Sequence, residues 1–560
     1  MRRQLNHVRK LMMIRNKSTG LLLSLFVFQT LAVAQVAANE TAPGITVLNK
    51  PFDQYTWVTA HNGYLDDMRT QLNRGVRGFM LDLHPGNLEG GNKVYLCHTS
   101  DTGKCDIRTQ MEFSAALNNI FLPFLRSNSN AVVTLLLENR VSRENFAAAM
   151  AKVPELAKWV YEPAVGTTAW PTLEQMIRSG KRLVVLSDRQ SGSYQVNGQK
   201  VSILQDSQWE MQNYWDLGTT ALKHDWSCPS RWSKHEPKVA GAGFTSWNRL
   251  FVMNQFHSWG ATSPHAGGMD NNLTYLERRV NQHCKNAIGY RKAPNYLAID
   301  FNQAGDAFPY AAALSQGGFY FYEQNNANEK GDTTCVVPAG KNAEFSLPNR
   351  GCEADDIRSG KLRGIAKGTR LTVFDSPSGS GEDDRAYIDV KQDIDVNNDG
   401  VIIGSFEKNM ENQYFKMTYV RNNGLDGKIS RIKIEQNPPT DFSDSSVVFY
   451  FGNNGKDNIV CTIGLAKNMQ GNFSGACNND AARSAVILRA KAGTRFTVYG
   501  NKNVNPNQGY AEVIVTRDIT SPVVIDTFEK TVGRSHYVVN RGGSSNQLDG
   551  KVSSIKVSVP

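Results

Sequence analysis

Three patterns are absent from this sequence, and each absence argues against a class of protein. No Cys-x-x-Cys pair occurs, although zinc sites built from cysteine commonly use this spacing. No Gly-x-Gly-x-x-Gly turn follows a strand-like run, although dinucleotide-binding folds require that turn. After the first 38 residues, no apolar run is long enough to span a bilayer. At 560 residues the chain is too long for one core, so we expect roughly two to four domains.

The chain also carries little net charge once its first segment is set aside. The formal charge of +10 includes six basic residues near the N-terminus, with no acidic residue among them, so the remainder carries only +4. That excess does not indicate a nucleic-acid-binding surface. The six precede an apolar run from Gly20 to Ala34, and this order predicts a secretory signal over residues 1–38, starting at Met1, Met12 or Met13. An N-terminal membrane anchor is the alternative. The basic residues are Arg2, Arg3, Arg9, Lys10, Arg15 and Lys17.

Cysteine is scarce, but its number suits an exported protein. Disulfides form in oxidising compartments, so eight cysteines behind a secretory signal predict four bridges. A zinc site is the competing interpretation, and the missing Cys-x-x-Cys argues against it. The spacing predicts the pairs Cys97–Cys105, Cys228–Cys284, Cys335–Cys352 and Cys461–Cys477.

Residues 39–318 alternate short apolar runs with segments of helical periodicity. Each run ends at a polar residue, as buried strands of a parallel sheet do, and Ser142 and Thr172 are predicted helix N-caps. This pattern predicts an α/β domain with a TIM-like barrel. The apolar runs are residues 57–60, 76–81, 94–97, 131–137, 182–187, 250–253 and 296–299.

Polar side chains at the ends of three runs give the first functional hypothesis. His61 follows the first run, Asp82 and His84 follow the second, and His98 follows the third. The C-terminal ends of the strands line the active site in α/β folds. Two imidazoles and a carboxylate at that edge predict an acid/base pair with a place for a cation. The histidines of motif-poor loops are interpreted as surface groups: His257, His265 and His283.

Several ordered motifs in this domain resemble the X domain of phosphatidylinositol-specific phospholipase C, and in particular secreted proteins with a cysteine beside the second histidine. The resemblance implies a distorted TIM barrel that cleaves the phosphodiester of an inositol phospholipid with two histidines. The motifs are residues 61–62, 71–82, 96–98, 136–139, 170–173, 228–231 and 295–301.

The same resemblance implies roles for individual residues. His61 corresponds to the general base towards the inositol 2-hydroxyl, and His98 to the general acid for the leaving group. Imidazole suits both tasks because it titrates near neutrality. Asp300 ends the last run and either orients His61 through a hydrogen bond or is a solvated carboxylate. His84 is a candidate substrate-binding residue of the pocket.

The resemblance also implies Ca²⁺ as a candidate cofactor. Asn62, Asp82 and Glu138 match three family positions that hold this ion, and oxygen ligands suit a hard cation. The fourth family position, normally glutamate, is Met80, and a thioether is a poor Ca²⁺ ligand. Calcium-independent members use an arginine instead, but none stands beside Asp82 in the sequence.

The C-terminal half contains two copies of one module. Residues 319–436 and 447–560 share several motifs, among them Gly368–Phe374 with Gly493–Tyr499, and residues 437–446 form a linker. Alternating polarity with Gly and Asn turns predicts antiparallel β-sandwiches. Residues 395–400 begin like an EF-hand loop, but Phe406 replaces its last ligand, which favours a hairpin turn. We interpret both modules as accessory, for a surface, a glycan or a partner, and expect residues 39–318 to fold without them.

Together these features predict a secreted, monomeric phosphodiesterase that acts on a phospholipid head group at a membrane surface. Phosphatidylinositol is the leading substrate, and no nucleic acid is involved. One alternative is a catalytically silent barrel that binds a surface or glycan, which the replacement at Met80 supports. Another is glycerophosphodiester or sphingomyelin cleavage, but those families share a Glu-x-Asp motif that here is Met80-Leu81-Asp82.

Overall fold

The structure is a computed structural model. The predicted secretory signal, residues 1–38, lies outside the residues that it describes, and no helix among the described residues is long and apolar enough to cross a membrane. The described residues are 40–85, 93–98, 105, 111–164, 169–215, 217–218, 223–231, 248–257, 264–285, 293–328, 332–379, 383–396, 399–436, 442, 445–475, 477–543 and 548–560.

The first domain is built on an 11-stranded sheet whose main strands are parallel. The strand order is β7-β8-β6-β5-β2-β1-β11-β10-β9, and β3 and β4 are added antiparallel beside β2. The strands are β1 (Trp57–Ala60), β2 (Gly78–Pro85), β3 (Val94–Leu96), β4 (Met111–Glu112), β5 (Val133–Asn139), β6 (Leu183–Ser187), β7 (Gly192–Val196), β8 (Gln199–Gln205), β9 (Glu210–Gln212), β10 (Leu250–Gln255) and β11 (Tyr296–Ile299).

The central strands are apolar throughout because both of their faces are buried. In β11, Tyr296 and Ala298 belong to a cluster inside the curve of the sheet, whereas Leu297 and Ile299 belong to the cluster under the helices. The inner cluster also joins Leu186 of β6 to Leu250 of β10, which are far apart in the strand order. The sheet must therefore curl around this cluster.

The sheet has the strand order of a barrel with one gap. The last parallel strand, β11, pairs with the first, β1, and every other neighbour in the parallel order is paired except β8 and β9. Within the described residues no hydrogen-bonded pair closes that gap, which a one-turn helix, Asp206–Trp209, spans along the chain. The predicted α/β domain with parallel strands and helices is present, but these strands do not close into a barrel.

Helices and turns follow the parallel strands. Ser142 and Thr172 accept hydrogen bonds from the backbone N–H groups of Asn145 (3.2 Å) and Gln175 (3.1 Å), which confirms both predicted N-caps. The α-helices are α1 (Met68–Arg74), α2 (Phe113–Ala116), α3 (Leu122–Ser127), α4 (Arg143–Ala151), α5 (Leu156–Trp159), α6 (Leu173–Ser179), α7 (Asp206–Trp209), α8 (Pro264–Asp270), α9 (Leu273–Arg278) and α10 (Ala307–Gln316). Two π-helical segments are Leu117–Phe121 and Arg279–Cys284, and 3₁₀ turns are Phe52–Gln54, Gly63–Leu65, Asn325–Ala327, Asn453–Gly455 and Pro506–Gln508.

The C-terminal half consists of two modules with the same strand order, each with a four-stranded and a six-stranded antiparallel sheet around its own core. The first contains β12 (Gly318–Tyr322), β13 (Thr333–Pro338), β14 (Ala343–Ser346), β15 (Ser359–Arg363), β16 (Thr369–Phe374), β17 (Arg385–Val390), β18 (Val401–Ile403), β19 (Met410–Glu411), β20 (Phe415–Val420) and β21 (Arg431–Gln436). The second contains β22 (Ser446–Tyr450), β23 (Ile459–Gly464), β24 (Met469–Asn472), β25 (Ser484–Arg489), β26 (Arg495–Tyr499), β27 (Tyr510–Val515), β28 (Val523–Ile525), β29 (Val532–Gly533), β30 (Tyr537–Gly542) and β31 (Ser554–Ser558).

The first module docks on the first domain through the outer face of its four-stranded sheet. In β12, Phe319 and Phe321 pack inside the module, while Tyr320 and Tyr322 join the outer core of the first domain. At this interface the buried carboxylate of Glu277 accepts hydrogen bonds from Tyr322 Oη (2.7 Å) and Lys361 Nζ (3.1 Å). Only Gly317 separates helix α10 from β12, so the two units are closely joined.

The second module docks on the first with the same face. In β22, Val447 and Phe449 face the module core, while Val448 and Tyr450 form a separate cluster with Val420 of the first module. Each module therefore uses alternate residues of its first strand for its own core and for the unit before it.

All four predicted disulfides are present, and no described cysteine is free. The Cα–Cα distances are 5.5 Å for Cys97–Cys105, 5.0 Å for Cys228–Cys284, 4.8 Å for Cys335–Cys352 and 4.9 Å for Cys461–Cys477.

Candidate active site

His61 and Asp300 are brought together by the pairing of the first and last parallel strands. Ala60 lies opposite Ile299 in this pair, so the residue that follows each strand lies at the same edge. His61 Nδ1 is 2.9 Å from Asp300 Oδ1, and the hydrogen bond offered as one of two interpretations is present. A carboxylate accepts this bond, which places the proton on Nδ1 and leaves Nε2 as the basic atom. The ring of Phe256 stacks on the imidazole at 3.5 Å between centroids.

Asp82 and Glu138 lie opposite each other on the neighbouring parallel strands β2 and β5. Burial and the charge of Glu138 both raise the pKa of the Asp82 carboxyl above its usual range. Two neighbouring carboxylates favour a cation between them. This pair fits the predicted cation site in charge and in ligand type.

Tyr64 is a site residue that the sequence analysis missed. It lies in the turn Gly63–Leu65, directly after Asn62, which has a left-handed backbone with φ of 46°. Its hydroxyl is 2.7 Å from Asp82 Oδ2 and 3.1 Å from Asn62 Oδ1, so it donates its one proton between two predicted metal ligands. Burial and the Asp82 charge raise the pKa of Tyr64, so it remains a neutral donor.

An arginine does stand at this site, although not at the position examined in the sequence. Arg140 forms an ion pair with Glu138 and another with Asp188, at 2.6 Å. Burial and, after it, the positive charge of Arg140 lower the pKa of His84. Strand β2 continues to Pro85, so His84 lies on the same strand face as Asp82, but it is not among the residues that line the cavity described below.

His98 reaches the site by a route that the sequence analysis did not predict. The run 94–97 was expected to be a parallel strand, but β3 pairs antiparallel with β2. The chain therefore returns along β2, and the backbone N–H of Cys97 donates to the carbonyl of Asp82 at 3.2 Å. The side chain of the next residue, His98, is exposed, and its charge acts on both Asp82 and His84.

A cavity of about 60 Å³ opens beside His61. His61, Asn62, Asp82 and Glu138 line it, together with Met80, which also packs against the inner cluster. The sequence analysis missed five further polar residues that line it: Asp188, Asp206, Glu210, Gln212 and Arg231.

Glu210 is the most perturbed of these residues. It is 1% exposed, and burial together with the charge of Asp206 raises the pKa of its carboxyl to about 8. Gln212 donates a hydrogen bond to Glu210 and accepts one from Arg231 at 2.8 Å. Glu210 and Gln212 share one face of β9, and the only sequence signal for them was polar residues on both sides of Met211.

The domain matches a known family. The family model PI-PLC X 1 matches residues 54–315. A PI-PLC X domain-containing protein of Arabidopsis thaliana is 25% identical over 295 residues, covering 48% of this chain and 62% of its own length. In Arthroderma benhamiae, an uncharacterized secreted protein is 30% identical over 29% of this chain and 34% of its own length, and PI-PLC X domain-containing protein 1 is 28% identical over 28% and 56%. The chain spans less than two thirds of each relative. Residues 54–315 are therefore similar to PI-PLC X domains.

Proposed function

We propose that this protein is an exported phosphodiesterase that cleaves the head group of a phospholipid, with phosphatidylinositol as the leading substrate. The observation that carries the proposal is the His61–Asp300 hydrogen bond at the mouth of a cavity with two facing carboxylates. We also propose that the first domain is a distorted TIM-type barrel, open between β8 and β9.

In the proposed reaction, Nε2 of His61 removes a proton from a hydroxyl of the head group. Asp300 stabilises the imidazolium that forms, because its carboxylate already accepts the proton on Nδ1. The hydroxyl oxygen forms a new bond to phosphorus as the bond to the lipid oxygen breaks. His98 donates a proton to that leaving oxygen, and the product is a cyclic phosphodiester and a diacylglycerol. The exposed position of His98 suits an acid that must meet a lipid.

A cation would support this reaction by neutralising the phosphate charge. Asn62, Asp82 and Glu138 would hold Ca²⁺, with water or substrate oxygens completing its ligands. Arg140 is a second source of positive charge, since its guanidinium already pairs with Glu138. If Ca²⁺ supplies the positive charge, a chelator should abolish activity; if Arg140 supplies it, a chelator should have no effect.

The missed polar residues suit a hydroxyl-rich head group. Below about pH 8 the Glu210 carboxyl is protonated and is a hydrogen-bond donor. Gln212 and Arg231 extend the same hydrogen-bonded set along the cavity wall. We propose that these three side chains bind the ring hydroxyls of the substrate, with His84 nearer the opening.

A catalytically silent binding protein is the second candidate. It is favoured by Met80 in the cavity wall and by the ion pair that partly neutralises Glu138. In that case the barrel and the two β-modules would bind a surface or a glycan without turnover.

The test is release of the labelled head group, as its phosphate ester, from vesicles of phosphatidylinositol or sphingomyelin and from a soluble glycerophosphodiester, in Ca²⁺ and in chelator. Phosphatidylinositol, sphingomyelin and a glycerophosphodiester are compared, with His61→Ala and the distant His536→Ala as the matched variants. We expect cleavage of phosphatidylinositol that His61→Ala abolishes and His536→Ala preserves. No cleavage of any substrate, with vesicle binding retained, would favour the silent protein.

Two further proposals concern location and assembly. Four disulfides suit an oxidising compartment, and one relative is named as a secreted protein, which supports export. We propose that the protein acts as a monomer at a membrane surface and that its modules bind that surface or a glycan.

A further inference from the structure

Two histidines and one aspartate are buried together behind the candidate active site. His224 lies in the loop 223–231, His257 follows β10, and Asp270 is the last residue of α8. Their side chains are 9%, 0% and 5% exposed. The interpretation of His257 as a surface group is therefore wrong, because packed loops cover it.

Each imidazole faces its own oxygen of the shared carboxylate. His224 Nε2 is 2.7 Å from Asp270 Oδ1, and His257 Nε2 is 3.3 Å from Asp270 Oδ2. One ligand atom from each residue lies within 4.8 Å of the others, which is compact enough to surround one ion.

The proton on His257 is fixed by its other nitrogen. His257 Nδ1 is 2.9 Å from the carbonyl oxygen of Gly218, and a carbonyl only accepts, so Nδ1 carries the hydrogen. In the neutral ring the lone pair of Nε2 then points towards a carboxylate oxygen. This contact is repulsive unless a proton or a metal ion lies between the two atoms. Metal-binding histidines typically donate their second ring N–H to a carbonyl in this way.

We propose that His224, His257 and Asp270 form a structural site for Zn²⁺ or a similar divalent transition metal, separate from the phosphodiester cavity. Two imidazole nitrogens and one carboxylate suit Zn²⁺, whereas Ca²⁺ requires six to eight oxygens. All eight cysteines form disulfides, so no thiolate competes for the metal.

The metal would hold three chain segments against the back of the active site. Phe256, beside His257, stacks on His61. Asn271, beside Asp270, donates from Nδ2 to the carbonyl oxygen of Asp300 at 2.8 Å. His257 and Asp270 are thus positioning residues for the His61–Asp300 pair.

Metal content of the full-length protein tests the site. The protein is treated with chelator, dialysed against Zn²⁺ in excess Ca²⁺, and analysed by inductively coupled plasma mass spectrometry. We expect about one Zn²⁺ per chain in the wild type. His257→Gln and Asp270→Asn should lose it, while His536→Gln and Asp82→Asn should retain it. The readout is bound metal, so its failure leaves the proposed phosphodiesterase activity untouched.

A wild type with less than about 0.1 Zn²⁺ per chain, or an Asp270→Asn variant with the wild-type content, would overturn the site. The first result would mean that a proton occupies the position between His257 and Asp270. If the variants do not fold, Co²⁺ is added to the wild type. Visible absorption that Zn²⁺ removes supports the site, and its absence overturns it.

Discussion

His61 and His98 differ in how firmly each is held. His61 is fixed by Asp300 on one side and by the ring of Phe256 on a face. His98 is exposed at the end of a short strand. A general base benefits from one fixed tautomer, whereas a general acid that protonates a lipid leaving group benefits from an exposed position that the lipid can reach. The two variants should therefore respond differently to the chemistry of the leaving group.

Alanine substitution of either histidine should lower turnover about 10²–10⁴-fold on a natural phospholipid, the usual contribution of a positioned acid or base. With a nitrophenyl phosphodiester, whose leaving group needs no proton, His98→Ala should recover most of its activity and His61→Ala should not. Steady-state rates on both substrates measure this. Equal recovery of turnover by both variants would contradict the assignment of His61 as the base and His98 as the acid.

Glu210 should make stability depend on pH. Its folded pKa of about 8 exceeds the ordinary value of 4.5, so between these values the folded state binds a proton that the unfolded state releases. Stability should therefore fall as pH rises through this window, by at most about 1.4 kcal/mol per pH unit.

Glu210→Gln should remove that decline, because glutamine resembles the protonated acid. Urea unfolding at pH 5, 6, 7 and 8 gives the free energies, with the exposed Glu174→Gln as control. If the difference in the free energy of unfolding between wild type and Glu210→Gln does not change with pH, the Glu210 carboxyl is already ionised in the folded state at these pH values.

At the scale of elements, the sequence predicted where the strands lie in the chain better than it predicted which strands pair and in which direction. Continuous apolar runs mark strands with two buried faces, so β1, β2, β5, β6, β10 and β11 were found. The direction of β3 was wrong, because the run 94–97 contains no information about which neighbour it pairs with. Strand β9 was missed because three residues are too few to show a period, and with it Glu210 and Gln212 were missed. The positions of His61, Asp82 and Glu138 at strand ends were predictable because each follows an apolar run, whereas the role of Glu138 came only from the family resemblance.

The β2–β3 hairpin makes its disulfide important for activity. The backbone N–H of Cys97 donates a hydrogen bond to the carbonyl oxygen of Asp82, and His98 is the next residue. The Cys97–Cys105 disulfide therefore fixes the chain beside His98, the proposed general acid. Replacing both cysteines with serine should lower kcat towards the His98→Ala value. Serine at Cys461 and Cys477 should cost a similar free energy of unfolding, about 2–3 kcal/mol, without that loss. Activity and thermal unfolding of both double variants test this, and equal kcat values would contradict it.

At the scale of the whole molecule, the first domain and first module share a core. Tyr320, Tyr322 and Val336 belong to the first module but pack in the outer cluster of the domain. The expectation that residues 39–318 fold without the modules overlooked this, because apolar alternation in β12 does not say what covers each face. Burying each such side chain contributes roughly 1.5–3 kcal/mol, a large share of a total stability near 5–15 kcal/mol.

Two truncations separate the interfaces. A chain ending at residue 317 removes these three side chains and leaves buried Glu277 without Lys361, so it should aggregate or melt well below the full protein. A chain ending at residue 436 keeps that interface and uncovers the contact around Val420 and the polar contacts of Arg370 and Lys416 with residues 520–522, so it should stay folded and active on a soluble substrate. Calorimetry and gel filtration compare them. A stable protein ending at 317 would refute the shared core.

Each module docks on the preceding unit through alternate residues of its first strand, and this mode of docking restricts where a further module could bind. The surface of the first module that receives the second presents Tyr387 and Val420. The matching positions of the second module, by strand register, are Glu512 and Gly542. A further module docked on the second in the same way would place its equivalents of Val448 and Tyr450 against the charged Glu512 and against Gly542, which has no side chain. Those two positions need an apolar surface. The second module therefore lacks the apolar surface that a further module would need to dock on it in the way that the second module docks on the first.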